Sequence, residues 1–188
     1  MASRAGNRPT GTDGSDFRSR EKIAAQYTLG PLFKRRLRFL FVLHLLLLVV
    51  FFIKLLPEIL LKFGYKTRLF FTKWPFPRAE LWEYIWCFGT FPAVIFGYMS
   101  LNRNKRNLIN MTLLGIGVFG FGSIIFAIFH NSSTFLEYYY SRQAKNHVFG
   151  APYIVLLYIF FSIIIQVQGF IIYFGRKLSS MWSVKKSS

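Results

Sequence analysis

Residues 39–56 form an unbroken apolar run of eighteen residues in which only His44 and Lys54 can ionise. Wound as a helix, such a run is about 27 Å long, close to the thickness of a bilayer's hydrocarbon core. Lys34, Arg35, Arg36 and Arg38 stand directly before it. These cations cannot follow the run into lipid, so they fix one end of the helix at an interface. Three further apolar runs follow at 81–101, 108–129 and 148–174. The expected fold is all-α: a multi-pass membrane protein with four transmembrane helices and a disordered N-terminal tail.

Composition agrees, with 53% hydrophobic and 20% aromatic residues. The net charge of +17 comes from 24 Lys and Arg against 7 Asp and Glu. In a soluble chain that excess would suggest nucleic acid. Here the basic residues gather beside the apolar runs, as anchoring to anionic lipid and the positive-inside bias require, so the expected partner is the lipid bilayer and no nucleic acid. The single cysteine, Cys87, lies inside an apolar run and excludes an intrachain disulfide.

Three regions are expected. Residues 1–30 are polar and punctuated by Gly6, Pro9, Gly11, Gly14 and Gly30. They read as a disordered tail with a short helix near residues 19–26. The first apolar run starts too far into the chain for a cleaved signal peptide and reads as a signal anchor. Residues 31–178 form the membrane domain, in which Pro57 closes or breaks the first span. Residues 57–80 interleave rings with Lys62, Lys66, Arg68, Lys73 and Arg78, which suits an interfacial segment. A stacking platform for single-stranded nucleic acid is the sharper and weaker alternative. Residues 102–107 are a short turn between spans two and three. Residues 130–147 join spans three and four as a loop, with Tyr138, Tyr139 and Tyr140 at the interface. Residues 179–188 are the C-terminal tail.

The positive-inside bias orients the chain. Nine Lys and Arg precede the first span, three lie in the short turn and four follow Phe174, sixteen on one side. Five and two lie in the other connections, seven in all, with Lys54 inside a span. Both termini are expected in the cytosol, with the cluster Lys34, Arg35, Arg36 and Arg38 deciding the topology.

Inside the spans, His44 is expected to be neutral and hydrogen-bonded to a neighbouring helix, Gln166 and Gln168 to bond between helices, and Lys54 to snorkel to the far interface. Gly89, Ala93 and Gly97 recur at every fourth position of span two, with Gly115 and Gly122 a heptad apart on span three. Such a stripe lets helices approach closely, either within the chain or in a homo-oligomer; the six-residue turn favours packing of spans two and three on each other. Pro92 is expected to kink span two. The sequons at Asn110 and Asn131 are expected to stay unmodified, the first on the cytosolic side and the second too near the membrane. No phosphate-cradling loop, metal-ligand spacing or carboxylate pair within a span indicates catalysis, so no enzyme activity, cofactor or metal is expected.

The segments Met1-Ala2-Ser3-Arg4-Ala5-Gly6 and Gly11-Thr12-Asp13-Gly14-Ser15-Asp16-Phe17, with Arg20, Glu21 and Tyr27, resemble the N-terminus of the Jagunal homologue family. Further similarity lies at Trp82-Glu83-Tyr84, at Ser100 with Arg103 and Asn104, at Gln166-Val167, and at Arg176-Lys177-Leu178 with Trp182. The resemblance implies a four-span protein of the endoplasmic reticulum membrane. It further implies a role in vesicle-mediated transport and reticulum organisation, with coat protein complex I as partner and, in vertebrates, a tie to granulocyte function. The last residues, Lys185, Lys186, Ser187 and Ser188, resemble a dilysine retrieval signal. Two ammonium groups and a free carboxylate would there be held by acidic pockets of a coat subunit. The alternative, from another class, is a small transporter or channel whose path uses His44, Gln166 and Gln168.

Overall fold

The computed structural model describes residues 15–64 and 76–184, with the side chains of residues 15–26 and 184 left aside. Four helical segments are long and apolar enough to cross a membrane. α1 (Ser15–Lys62) is one helix of 48 residues. The short helix expected near residues 19–26 is part of it, beginning at Ser15 and continuous with the first span; residues 1–14 lie outside the described residues. Pro31 and Pro57 are both inside α1, so Pro57 neither closes nor breaks the helix. A proline in an apolar helix is tolerated where packing and neighbouring groups compensate for the lost hydrogen bond.

α2 (Leu81–Arg103) ends on Asn104, whose backbone is left-handed at φ 51° and whose N–H donates to the Ser100 carbonyl. Asparagine enters that conformation readily, which makes the turn to α3 (Arg106–Gly115) only two residues long. A π-helical turn, Ile116–Phe121, then leads into α4 (Gly122–Ser141). The third span therefore runs on through residues 130–141, which the sequence suggested as loop. The true connection is short. Arg142 caps α4 in the left-handed region, and a small hairpin pairs β1 (His147–Val148) with β2 (Ala151–Pro152). Its turn, Phe149 and Gly150, has positive φ at both positions, as a tight two-residue hairpin requires. α5 (Tyr153–Val184) completes the bundle, starting five residues later and ending ten later than the apolar run suggested.

α1 and α5 pack antiparallel over much of their length. Phe33 meets Phe174 with ring centroids 5.7 Å apart, Phe51 stacks on Phe160 at 4.7 Å, and Lys54 reaches Tyr153. Trp82 and Trp86 of α2 fill the centre against Phe51, and Trp82 also meets Phe161. Lipid is as apolar as these rings. Association in a membrane is therefore driven by tight packing and internal hydrogen bonds more than by the hydrophobic effect.

Candidate functional site

The small-residue stripe is a close contact within the chain, on two faces of α2. A Cβ added at Gly115 would lie 2.8 Å from the Ala93 Cβ, and one added at Gly89 would lie 2.7 Å from Phe119. Both join spans two and three. Gly97 instead faces α1, where the Phe41 ring fills the space a side chain would need. Gly122 stands apart, because a Cβ there would meet nothing within 4 Å. The π-turn between Gly115 and Gly122 carries extra residues per turn, and each residue of slippage rotates the following face by about 100°. Gly120 moves into the bundle instead, where an added Cβ would lie 2.7 Å from the Gln168 amide nitrogen.

The polar residues of the spans separate. His44 and Gln168 are fully buried, whereas Gln166 is exposed on the outer face of α5. The three do not line one path, which removes the geometric basis of a transporter or channel built on them. His44 is not hydrogen-bonded to a neighbouring helix as expected. Neither ring nitrogen has a partner among the described residues, and the imidazole packs on Trp86 with ring centroids 5.6 Å apart. Gly89, one turn along α2 from Trp86, meets Phe119, and the next residue, Gly120, meets Gln168. The buried polar groups of the bundle centre thus share one depth.

Lys54 does not snorkel. Its ammonium donates to Glu83 Oε1 at 2.5 Å and to the Tyr153 hydroxyl at 2.8 Å. The Lys54 and Glu83 side chains are 6% and 2% exposed, so the pair is internal. This internal ion pair corrects the expectation that Lys54 reaches the far interface. Its partners sit on α1 and α2, 29 residues apart in sequence, so no local spacing reveals it. Around it, Glu58 accepts from the Ala79 N–H at 2.6 Å and from the Tyr84 hydroxyl at 3.1 Å. Glu80 Oε2 accepts from Trp82 Nε1 at 2.5 Å and from Asn131 Nδ2 at 3.3 Å. Asn131 is 9% exposed and also donates to the Ala127 carbonyl, so its amide is engaged inside the bundle.

The opposite end is different. Lys34 lies over the Trp182 ring at 6.0 Å, Arg38 donates to Asn102, and Ser179 donates to Asn110. These contacts gather Lys34, Arg35, Arg36 and Arg38 with the Arg103, Lys105 and Arg106 turn and with Arg176 and Lys177. No described carboxylate side chain lies at this end, since Glu58, Glu80, Glu83 and Glu137 all lie at the other. α5 ends here at Val184. The candidate signal at residues 185–188, and residues 65–75 of the basic aromatic stretch, lie outside the described residues.

Comparison with known proteins covers the whole molecule. "Protein jagunal homolog" of Caenorhabditis elegans is 33% identical over 99% of both chains. "Protein jagunal homolog 1" of Homo sapiens is 26% identical over 97% of this chain and 94% of its own length. "Protein jagunal" of Drosophila melanogaster is 27% identical over 100% of this chain and 98% of its own. Trp82 and Glu83, singled out above by resemblance, are buried here at the heart of the polar end. With residues 1–186 matched by the family model described as "Jagunal, ER re-organisation during oogenesis", the chain belongs to the Jagunal family.

Proposed function

We propose that this chain is a non-enzymatic protein of the endoplasmic reticulum membrane that supports early secretory traffic and reticulum organisation by engaging coat protein complex I. The observation that carries this reading is the match of residues 1–186 to a family described by reticulum re-organisation. Two features support it. Four helices long and apolar enough to span suit a chain that returns to its starting side, with both termini in one compartment. The end from which α5 leads into Lys185 and Lys186 is also the cation-rich end, which the positive-inside bias assigns to the cytosol, where a coat is found. The non-enzymatic reading draws on the four glutamates whose side chains are described, each engaged in a hydrogen bond or ion pair within the bundle.

Replacing Lys185 and Lys186 by Ser tests the coat step. Every described contact survives the change, so insertion and abundance are expected to be unaltered. The variant is expected to reach later Golgi compartments, and a tail peptide carrying the change to lose coat binding. Retention in the reticulum with unchanged peptide binding would contradict the reading.

A further inference from the structure

At the cation-rich end a cleft of about 560 Å³ opens between α1 and α5. This lies within the range of small-molecule sites. Its walls are apolar: Phe39, Leu40, Phe170 and Phe174. Phe39 and Phe170 are 68% and 54% exposed, so the cleft opens sideways toward lipid rather than into the bundle. Arg35 and Arg36 stand at its mouth, one turn before the apolar run begins, and the Arg36 guanidinium lies over the Phe174 ring at 5.4 Å.

We infer that this cleft binds an anionic glycerophospholipid of the surrounding leaflet, with acyl chain against the phenylalanines and headgroup phosphate on Arg35 and Arg36. Charge complementarity carries the choice of occupant. Two adjacent guanidiniums present forked donors at headgroup depth, with no carboxylate among the described side chains at that end of the bundle to neutralise them. Basic pockets between spans suit such headgroups, and stacking on Phe174 presets the orientation of Arg36. A lipid satisfies both halves of the site together, which neither a free anion nor an apolar helix does. The inference does not depend on coat engagement.

The full chain in detergent, titrated with phosphatidylserine or phosphatidylcholine and read by native mass spectrometry, tests this. The wild type is expected to retain one phosphatidylserine with a preference on the order of tenfold over phosphatidylcholine, whose identical phosphate is neutralised by its own quaternary ammonium and so binds the two guanidiniums more weakly. Excess inorganic phosphate is expected not to displace it. The double variant Arg35→Gln, Arg36→Gln is expected to lose the preference, whereas Arg103→Gln, at the same end but outside the cleft, retains it. Four titration results would each overturn the inference. These are no preference in the wild type, full preference in the double variant, an equal loss in Arg103→Gln, or displacement by inorganic phosphate. A dimer abolished by the double variant would assign the cleft to a second copy and overturn it as well.

Discussion

The two ends of this bundle handle charge in opposite ways. At one end Lys54, Glu83 and Tyr153 form a buried cluster, with Glu58 and Glu80 bonded around it to Ala79, Tyr84, Trp82 and Asn131. At the other, cations from α1, the α2–α3 turn and α5 collect with no carboxylate among the described side chains there. The difference follows from what each can borrow from outside. A charge inside apolar surroundings must bring its own counter-charge, because burying it alone costs several kcal/mol. A charge at headgroup depth can use lipid phosphate. The first end is therefore built for internal cohesion, and the second for contact with whatever lies beyond the protein.

Breaking the internal end should have the largest effect. Glu83→Ala leaves Lys54 buried without its carboxylate and is expected to lower stability by about 3–5 kcal/mol. Replacing both partners with apolar groups, Lys54→Met with Glu83→Leu, should recover most of that loss. Thermal unfolding in detergent, followed by tryptophan fluorescence, reads both. Equal losses in the single and double variants would show that packing, not charge compensation, holds this end.

The mid-bundle contact between spans two and three ranks next. Ala93→Leu forces a larger side chain against Gly115 and is expected to cost about 1–3 kcal/mol. Gly122→Leu, placed a heptad from Gly115 but rotated off the seam by the π-turn, should change stability by less than about 0.5 kcal/mol. Matching losses at both positions would mean that the heptad register persists through Ile116–Phe121. Smallest of all is the outer ion pair of Lys145 with Glu137, whose side chains are 64% and 53% exposed. Lys145→Ala is expected to cost no more than about 0.5 kcal/mol, and a larger loss would show that the charged end depends on its rim as well as on its interior.

How much of this could be read beforehand depended on whether the signal was local. Four apolar runs and the short turn at Asn104 are local, and they gave the bundle and its hairpin. The continuation of the third span through residues 130–141 was hidden because His130, Asn131, Ser132 and Ser133 look like a loop. In the structure Asn131 turns inward to Glu80, and the hydroxyl of Ser132 bonds back to the Phe129 carbonyl. The Lys54–Glu83 pair was hidden because it joins two helices through register alone. A lysine near the end of one span and a glutamate near the start of the next, the two lying at similar depth, was the available signal. Gly122 was misplaced because a heptad count assumes about 3.5 residues per turn, and the π-turn breaks that count.

The assignment of the cation-rich end to the cytosol can be tested at two residues on opposite ends. Lys105→Cys lies in the α2–α3 turn and Gln143→Cys beside the β1–β2 hairpin, and the native Cys87 is buried. Cells with only the plasma membrane permeabilised would be treated with a membrane-impermeant maleimide. Lys105→Cys is expected to react at once, and Gln143→Cys only after the reticulum membrane is opened. The reverse pattern would place the cations in the lumen and contradict the proposed division between the two ends.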